Sequence, residues 1–277
     1  MSECTHNCKT CGQKCDAPQK DDPHELSRIK RVIAVVSGKG GVGKSSVTAM
    51  LASAMNAKGY NCAVLDADIT GASIPKMYGV AGEVNGDGNG IYPPVSSTGI
   101  KIISSNLLLE NETDPIVWRG PVIASMVKQF WTDVIWGDVD YMFIDCPPGT
   151  GDVPLTVFQS IKVDGIVVVA TPQELVSMIV EKAVNMANMM KIPVLGIVEN
   201  MSYVVCPHCD KRINVFGDGK AVRAVSQKFG LPIIAEIPYD EKIVRAADAG
   251  KLDACDVGYL NSAADILESG LPVSTHE

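Results

Sequence analysis

"VVSGKGGVGKSS", residues Val35–Ser46, decides the fold. Gly38 to Ser45 satisfies G-x-x-x-x-G-K-[ST], the phosphate-binding loop. The apolar run "RVIAVVS" before it reads as a buried strand, and Lys44 to Lys58 after it as a helix that ends at Gly59. That strand–loop–helix context is the one the motif requires. Glycines at 38, 40, 41 and 43 let backbone N–H groups turn inward around phosphate oxygens, with Val42 and Ser46 completing the cradle. The helix N-terminus adds partial positive charge. Lys44 is placed on the β- and γ-phosphates of ATP and the Ser45 hydroxyl on Mg²⁺. The loop also carries a second lysine, Lys39, which the motif does not need.

Outward from the loop, apolar runs alternate with helical spacing. "NCAVLDAD", "GIKIISS", "YMFIDCPP", "GIVVVATP", "IPVLGIVEN" and "LPIIAEIP" read as strands. Helices are expected at 121–136, 174–190, 220–229, 241–249 and 257–268. Continuous apolar strands alternating with helices imply a doubly wound α/β fold, a mainly parallel sheet covered on both faces. Residues 29–277 form this phosphate-loop domain. Two segments break the rhythm: the glycine-rich 80–98, expected as a loop, and "SYVVCPHCDKRINVF" near 202–216, an insertion between a strand and a helix.

Three acids fall at strand ends, where ligands of open parallel sheets bind. Asp145 ends "YMFID" and suits a direct or second-sphere Mg²⁺ role. Asp66 and Asp68 are two residues apart, so on a continuing strand they face one way. Asp68 is assigned to orienting the attacking water and Asp66 to holding a metal-bound water. Either could instead be a helix cap or a surface carboxylate.

The net charge is −8 and aromatics are 5% of the chain, which disfavours a nucleic-acid surface that needs basic patches or stacking platforms. No apolar run approaches the ~18 residues of a membrane span, and the N-terminal stretch has no apolar signal-peptide core. A cytoplasmic location is therefore expected, with neither nucleic acid nor membrane as partner. In that compartment nine cysteines are read for metal ligation rather than disulfides.

Cys206-Pro-His-Cys209 is a C-x₂-C pair. Two thiolates supply half of the ligands that zinc or a [4Fe–4S] cluster takes, and a symmetric dimer would bring four sulfurs to its axis. A redox dithiol remains an alternative. Residues 1–28 form a polar tail with Cys4, Cys8, Cys11 and Cys15, spaced to hold a second [4Fe–4S] cluster or Zn²⁺. A zinc site pairing Cys8 and Cys11 with Cys206 and Cys209 would also satisfy four-coordination. Cys62, Cys146 and Cys255 read as buried small hydrophobes. Met178, Met186, Met189 and Met190 read as core filler of one helix.

"KGGVGKS" resembles the deviant phosphate loop of the group that holds the Min- and Par-type ATPases, the nitrogenase iron protein and the Mrp-type (ApbC-like) iron–sulfur carriers. "LDADITGASIP", "PIVWRGP", "DYMFIDCPPGTGD", "TPQELV" and "GIVENMSYVVCPHC" narrow the resemblance to the Mrp-type carriers, over residues 32–240. It implies a homodimeric ATPase that assembles a [4Fe–4S] cluster between Cys206 and Cys209 of two subunits and transfers it to apo iron–sulfur proteins. It implies that Lys39 acts across the dimer on the partner's nucleotide, that Asn200 reads the adenine edge, and that the stretch from Pro238 to Asp240 lines the base pocket. The rival functions are a partition-type ATPase, whose basic membrane helix or DNA-facing surface this acidic chain lacks, and an ATP-coupled electron-transfer protein.

Overall fold

In the computed structural model, which describes residues 20–69, 71–82, 84–108, 120–173, 176–256 and 258–270, the Val35–Ser46 stretch joins a buried strand to a helix. Strand β1 is Val32–Ser37 and helix α1 is Lys44–Ala57. The sheet is completed by β2 (Cys62–Asp66), β3 (Lys101–Ile103), β4 (Tyr141–Asp145), β5 (Gly165–Ala170), β6 (Val194–Asn200) and β7 (Ile233–Ile237). The spatial order is β7-β6-β5-β1-β4-β2-β3, with every neighbouring pair parallel. The expected doubly wound parallel fold is therefore present. The chain winds to one side of β1 and then to the other, so a crevice opens at the carboxyl ends beside β1. The phosphate loop fills that crevice.

The remaining helices are α2 (Ile74–Met77), α3 (Gly120–Thr132), α4 (Asp152–Ser160), α5 (Val176–Met189), α6 (Lys220–Phe229), α7 (Glu241–Asp248) and α8 (Asn261–Ser269). Strand alternation divides the core in two. Val32, Ala34 and Val36 pack with α3, α4, α5 and α6. Ile33 and Val35 pack with α1, α2, α7 and α8. Each strand is buried on both faces, which is why it reads as one apolar run.

Four expectations are corrected. The helix predicted over 121–136 stops at Thr132, because the next residues pair with Ile91 instead: Ile91 N–H donates to Asp133 O at 3.0 Å and Ile135 N–H to Ile91 O at 2.7 Å. The 80–98 loop contains a short antiparallel ribbon, Asn85–Gly86 with Ile91–Tyr92. The helix expected from residue 257 opens with a single 3₁₀ turn, Gly258–Leu260, before α8. Met178 and Met189 are 61% and 83% exposed and fill no core, whereas Met186 is buried. Helix α4 went unpredicted, although Asp152 and Pro154 in its first turn are helix-start signals.

The tail divides. Residues 20–28 lie on the domain: Asp21 N–H donates to Ser160 O at 2.8 Å, Trp131 Nε1 donates to Asp21 O at 2.9 Å, and Arg28–Ile29 pairs with Asp138–Val139. Cys4, Cys8, Cys11 and Cys15 lie outside the described residues.

Candidate nucleotide site and cysteine arm

Gly43 is the hinge of the loop. Its φ of 77° is left-handed, and a Cβ there would sit 2.3 Å from Asn200 Nδ2. Glycine is thus required both for the turn and for the close approach. The loop lines a cavity of about 230 Å³ together with Ser37, Asp68, Ser73, Met77 and Pro148. Residues 39–46 all border it, and Gly38 leads into the loop directly after β1.

Lys44, the first residue of α1, is 5% exposed and lies 2.6 Å from Asp145 Oδ1 and 3.7 Å from Asp68 Oδ2. Burial opposes its charge, but Asp145, Asp68 and Asp66 together outweigh burial and raise its pKa. The Asp145 carboxylate also accepts from Ser45 Oγ at 2.5 Å and from Thr48 Oγ1 at 2.8 Å. One carboxylate thereby orients both the loop lysine and the hydroxyl next to it. Ser45 Oγ and the carboxylates of Asp145 and Asp68 are hard oxygen donors converging at the loop, a set that fits Mg²⁺.

Asp66 and Asp68 both act on Lys44 but differ in their access to the cavity. β2 ends at Asp66, so strand alternation does not carry on to Asp68. Asp66 is fully buried and accepts from Asp68 N–H at 3.1 Å and from Ser104 Oγ at 3.1 Å. Burial, with Asp145 opposite it in register, pushes its carboxyl up to about 8. Asp68 lines the cavity itself, and burial raises its pKa against the pull of Lys44. The acid that reaches the ligand space is Asp68, with Asp66 lying behind it.

Lys39 stands at the cavity edge, where its Nζ donates to Gln173 Oε1 at 2.5 Å. A second cavity of about 70 Å³ abuts the loop, lined by Gly43, Ser46, Asn200, Pro238, Tyr239 and Asp240 among others. Asn200 Nδ2 donates to Val42 O at 2.9 Å, which leaves its Oδ1 as the acceptor. Asn200 and Pro238, separate in sequence, are brought together because β6 and β7 pair as Asn200↔Ile237.

Cys206 and Cys209 sit on an arm beyond β6. The arm is a two-stranded antiparallel ribbon, Val204–Val205 with Arg212–Ile213, and the cysteines occupy its turn. Cys206 N–H donates to Lys211 O at 2.9 Å and Asp210 N–H to Cys206 O at 3.0 Å. The backbone N–H of His208, then the Cys209 thiol and backbone N–H, hold the Cys206 pKa below that of an ordinary thiol. Peptide N–H groups aimed at sulfur stabilise thiolate, the form that binds metal. Cys209 is exposed and Cys206 half-buried, whereas Cys62 and Cys146 are buried as expected and Cys255 is half-buried. No group of three or more His, Cys, Asp or Glu that could hold a metal is found among the described residues.

The chain matches the family model "NUBPL iron-transfer P-loop NTPase" over residues 28–267. It belongs to the NUBPL-type iron-transfer P-loop NTPases. Within the family it is 44% identical over 261 residues to an iron-sulfur cluster carrier protein of Methanocaldococcus jannaschii, covering 90% of each chain. It is 43% identical to the iron-sulfur cluster carrier protein of Clostridium perfringens, covering 89% of this chain and 93% of the relative. A nucleotide-binding protein of Archaeoglobus fulgidus, solved in complex with ADP and with cobalt, superposes with a TM-score of 0.74 at 42% identity, over 90% of this chain and 95% of that one. The Pyrococcus furiosus cell division ATPase MinD superposes at 0.60 with 20% identity, over 86% of this chain and 98% of that one, which shows a shared fold alone. The Mrp-type reading of the sequence and its expectation of an NTPase thus hold. Among the described residues of this NUBPL-type chain no helix is long and apolar enough to cross a membrane.

Sequence reasoning missed Thr48, Ser104 and Gln173. Thr48 follows Lys44 by one helical turn, which would have placed it on the same face. Gln173 lies in "TPQELV", whose composition carries no sign of a partner for Lys39. Ser104 carried no signal, since it meets Asp66 through strand pairing alone.

Proposed function

We propose that this chain is an ATP-hydrolysing carrier of iron–sulfur clusters, which it holds as cargo between two copies of itself and hands to apoproteins. The observation that carries the reading is the arm: a thiol pair in an exposed turn, one thiol tuned toward thiolate, with no third ligand beside it among the described residues. Two sulfurs leave a tetrahedral thiolate site half filled. A second copy supplies the missing pair. The names of the relatives, iron-sulfur cluster carrier proteins, support the choice of cargo, and the ADP in the Archaeoglobus structure supports nucleotide in the loop.

In the hydrolytic step, water attacks the γ-phosphorus of ATP and the bond to the β–γ bridging oxygen breaks, releasing ADP and phosphate. Asp68 orients the water. Lys44 and the backbone N–H groups of residues 40–45 take up charge on the phosphate oxygens. Ser45, with Asp145 behind it, would hold Mg²⁺, which would supply Lewis-acid charge there. Lys39, at the cavity edge, is released from Gln173 and crosses to the nucleotide of the second copy. Asn200 Oδ1 accepts from the adenine amino group, and Pro238 and Tyr239 wall the base. The tail cysteines Cys4, Cys8, Cys11 and Cys15 hold a second cluster or zinc. The test is anaerobic reconstitution with iron and sulfide, followed by transfer to an apo-ferredoxin. Replacing Cys206 and Cys209 by alanine is expected to abolish transfer, and unchanged transfer would refute the reading.

A further inference from the structure

Glu199, the residue before Asn200, is buried and has one carboxylate oxygen, Oε2, without a hydrogen-bond partner. Burial first, then the Glu236 charge beside it on β7, raises its pKa. A buried carboxyl with an unsatisfied oxygen is costly to keep.

Glu199 stands where both roots of the cysteine arm meet. Successive residues on β6 point to opposite faces. Asn200 faces the phosphate loop, and Glu199 faces the start of α6, where the arm re-enters the fold. There the backbone passes through Gly219 with φ 71°, and a Cβ at that position would lie 2.8 and 2.9 Å from the two Glu199 carboxylate oxygens and 3.0 Å from Arg223 Nη1. The chain returning from the arm therefore passes against Glu199 at Gly219, and Arg223 is the counter-charge that favours its ionised form. The outgoing strand is tied to the base pocket. Ser202 N–H donates to Ile237 O at 2.9 Å, Tyr239 N–H donates to Tyr203 O at 2.8 Å, and Ser202 Oγ donates to Glu199 O at 2.6 Å. Tyr239 walls the base pocket, and Tyr203 carries the Arg212 guanidinium 4.2 Å above its ring, on the arm's other strand.

We propose that Glu199 is the positioning residue of the cysteine arm: with Arg223 it fixes the exit at Gly219 against β6, so that a shift of the base-pocket wall at Tyr239 turns the Cys206–Cys209 turn instead of being absorbed at a loose root. This rests on the proposed thiolate site at Cys206 and Cys209. Two sites linked in this way share a coupling free energy, visible as a change in one affinity when the other site is filled.

The experiment titrates Co²⁺, followed by its thiolate charge-transfer absorption, into full-length protein whose Cys4, Cys8, Cys11 and Cys15 are serine, with and without saturating Mg²⁺–ADP. The parent protein is expected to bind Co²⁺ at Cys206 and Cys209 with an affinity that nucleotide changes by ~5-fold or more. Glu199→Gln is expected to bind both ligands but to bring that ratio to near one. Arg223→Gln, at an exposed position, is expected to reduce the ratio in the same direction and serves if Glu199→Gln does not fold. A merely structural role would weaken both affinities and leave the ratio intact. A full ratio in both variants, or no nucleotide effect in the parent protein, overturns the positioning role. Absence of any Co²⁺ signal that depends on Cys206 and Cys209 would instead sink the thiolate site itself.

Discussion

Ser45 Oγ donates to Asp145 Oδ2 at 2.5 Å while Lys44 Nζ lies 2.6 Å from Oδ1 of the same carboxylate. The two residues that the phosphate-loop motif assigns to phosphate and Mg²⁺ are thus held by one acid at the end of β4. That acid is buried, and so is its lysine partner.

Removing Lys44 costs stability as well as activity. Lys44→Ala leaves Asp145 without its cation inside the fold, and breaking a buried pair in this way typically costs roughly 3–5 kcal/mol. Urea denaturation without nucleotide is expected to show a loss of that size. A variant as stable as the parent would mean that water already screens Asp145.

Asp66 gives a pH dependence of defined sign. Its folded pKa of about 8 lies above its ordinary value of 3.8. Between those values the folded chain holds a proton that the unfolded chain has lost, so stability falls as pH rises, by up to ~1.4 kcal/mol per pH unit. Asp66→Asn cannot ionise and removes this slope. Denaturation midpoints are expected to favour the variant at both pH 6 and pH 8, by clearly more at pH 8, and the two proteins converge only below about pH 3.8. Parallel pH profiles would contradict this.

Lys39 is tested by mixing subunits. Lys39→Ala is expected to retain ATP binding and to lose hydrolysis by about 10³-fold or more, the lower end for a charge supplied in trans in other nucleotide hydrolases. Asp68→Asn is expected to be inactive for its own reason while still offering Lys39 to a partner. Steady-state phosphate release from an equal mixture of the two should partly recover. No recovery at subunit concentrations that support dimers would place Lys39 in its own site.

Asn200→Ala removes both the proposed acceptor for adenine and the link to Val42 O. ATP affinity is expected to drop by ~10-fold, equivalent to 1.4 kcal/mol, with little change for inorganic triphosphate. Isothermal titration with both ligands separates base recognition from a general collapse of the loop, in which both affinities would fall together.

The sheet and the phosphate loop were legible because they rest on local patterns. An apolar run buried on both faces is a parallel strand, and the spacing of Gly38 to Ser45 belongs to a loop before a helix. What escaped the sequence depends on tertiary pairing. Ile91 takes the backbone of residues 133–135 away from a helix that their spacing favours. Asp66 and Asp68 differ in access to the cavity because β2 ends at Asp66, which no periodicity announces. Thr48 and Gln173 act through contacts with residues 97 and 134 positions away along the chain. Cys206 and Cys209 were legible as a pair, but the arm that carries them follows only from the pairing of Val204–Val205 with Arg212–Ile213.

The most direct test of cluster carriage between two copies is native mass spectrometry of anaerobically reconstituted protein in which Cys4, Cys8, Cys11 and Cys15 are serine. The account predicts a dimer carrying the mass of one [4Fe–4S] cluster, and only cluster-free protein once Cys206 and Cys209 are also replaced by alanine. A cluster retained by a monomer, or by the dimer after both substitutions, would contradict it.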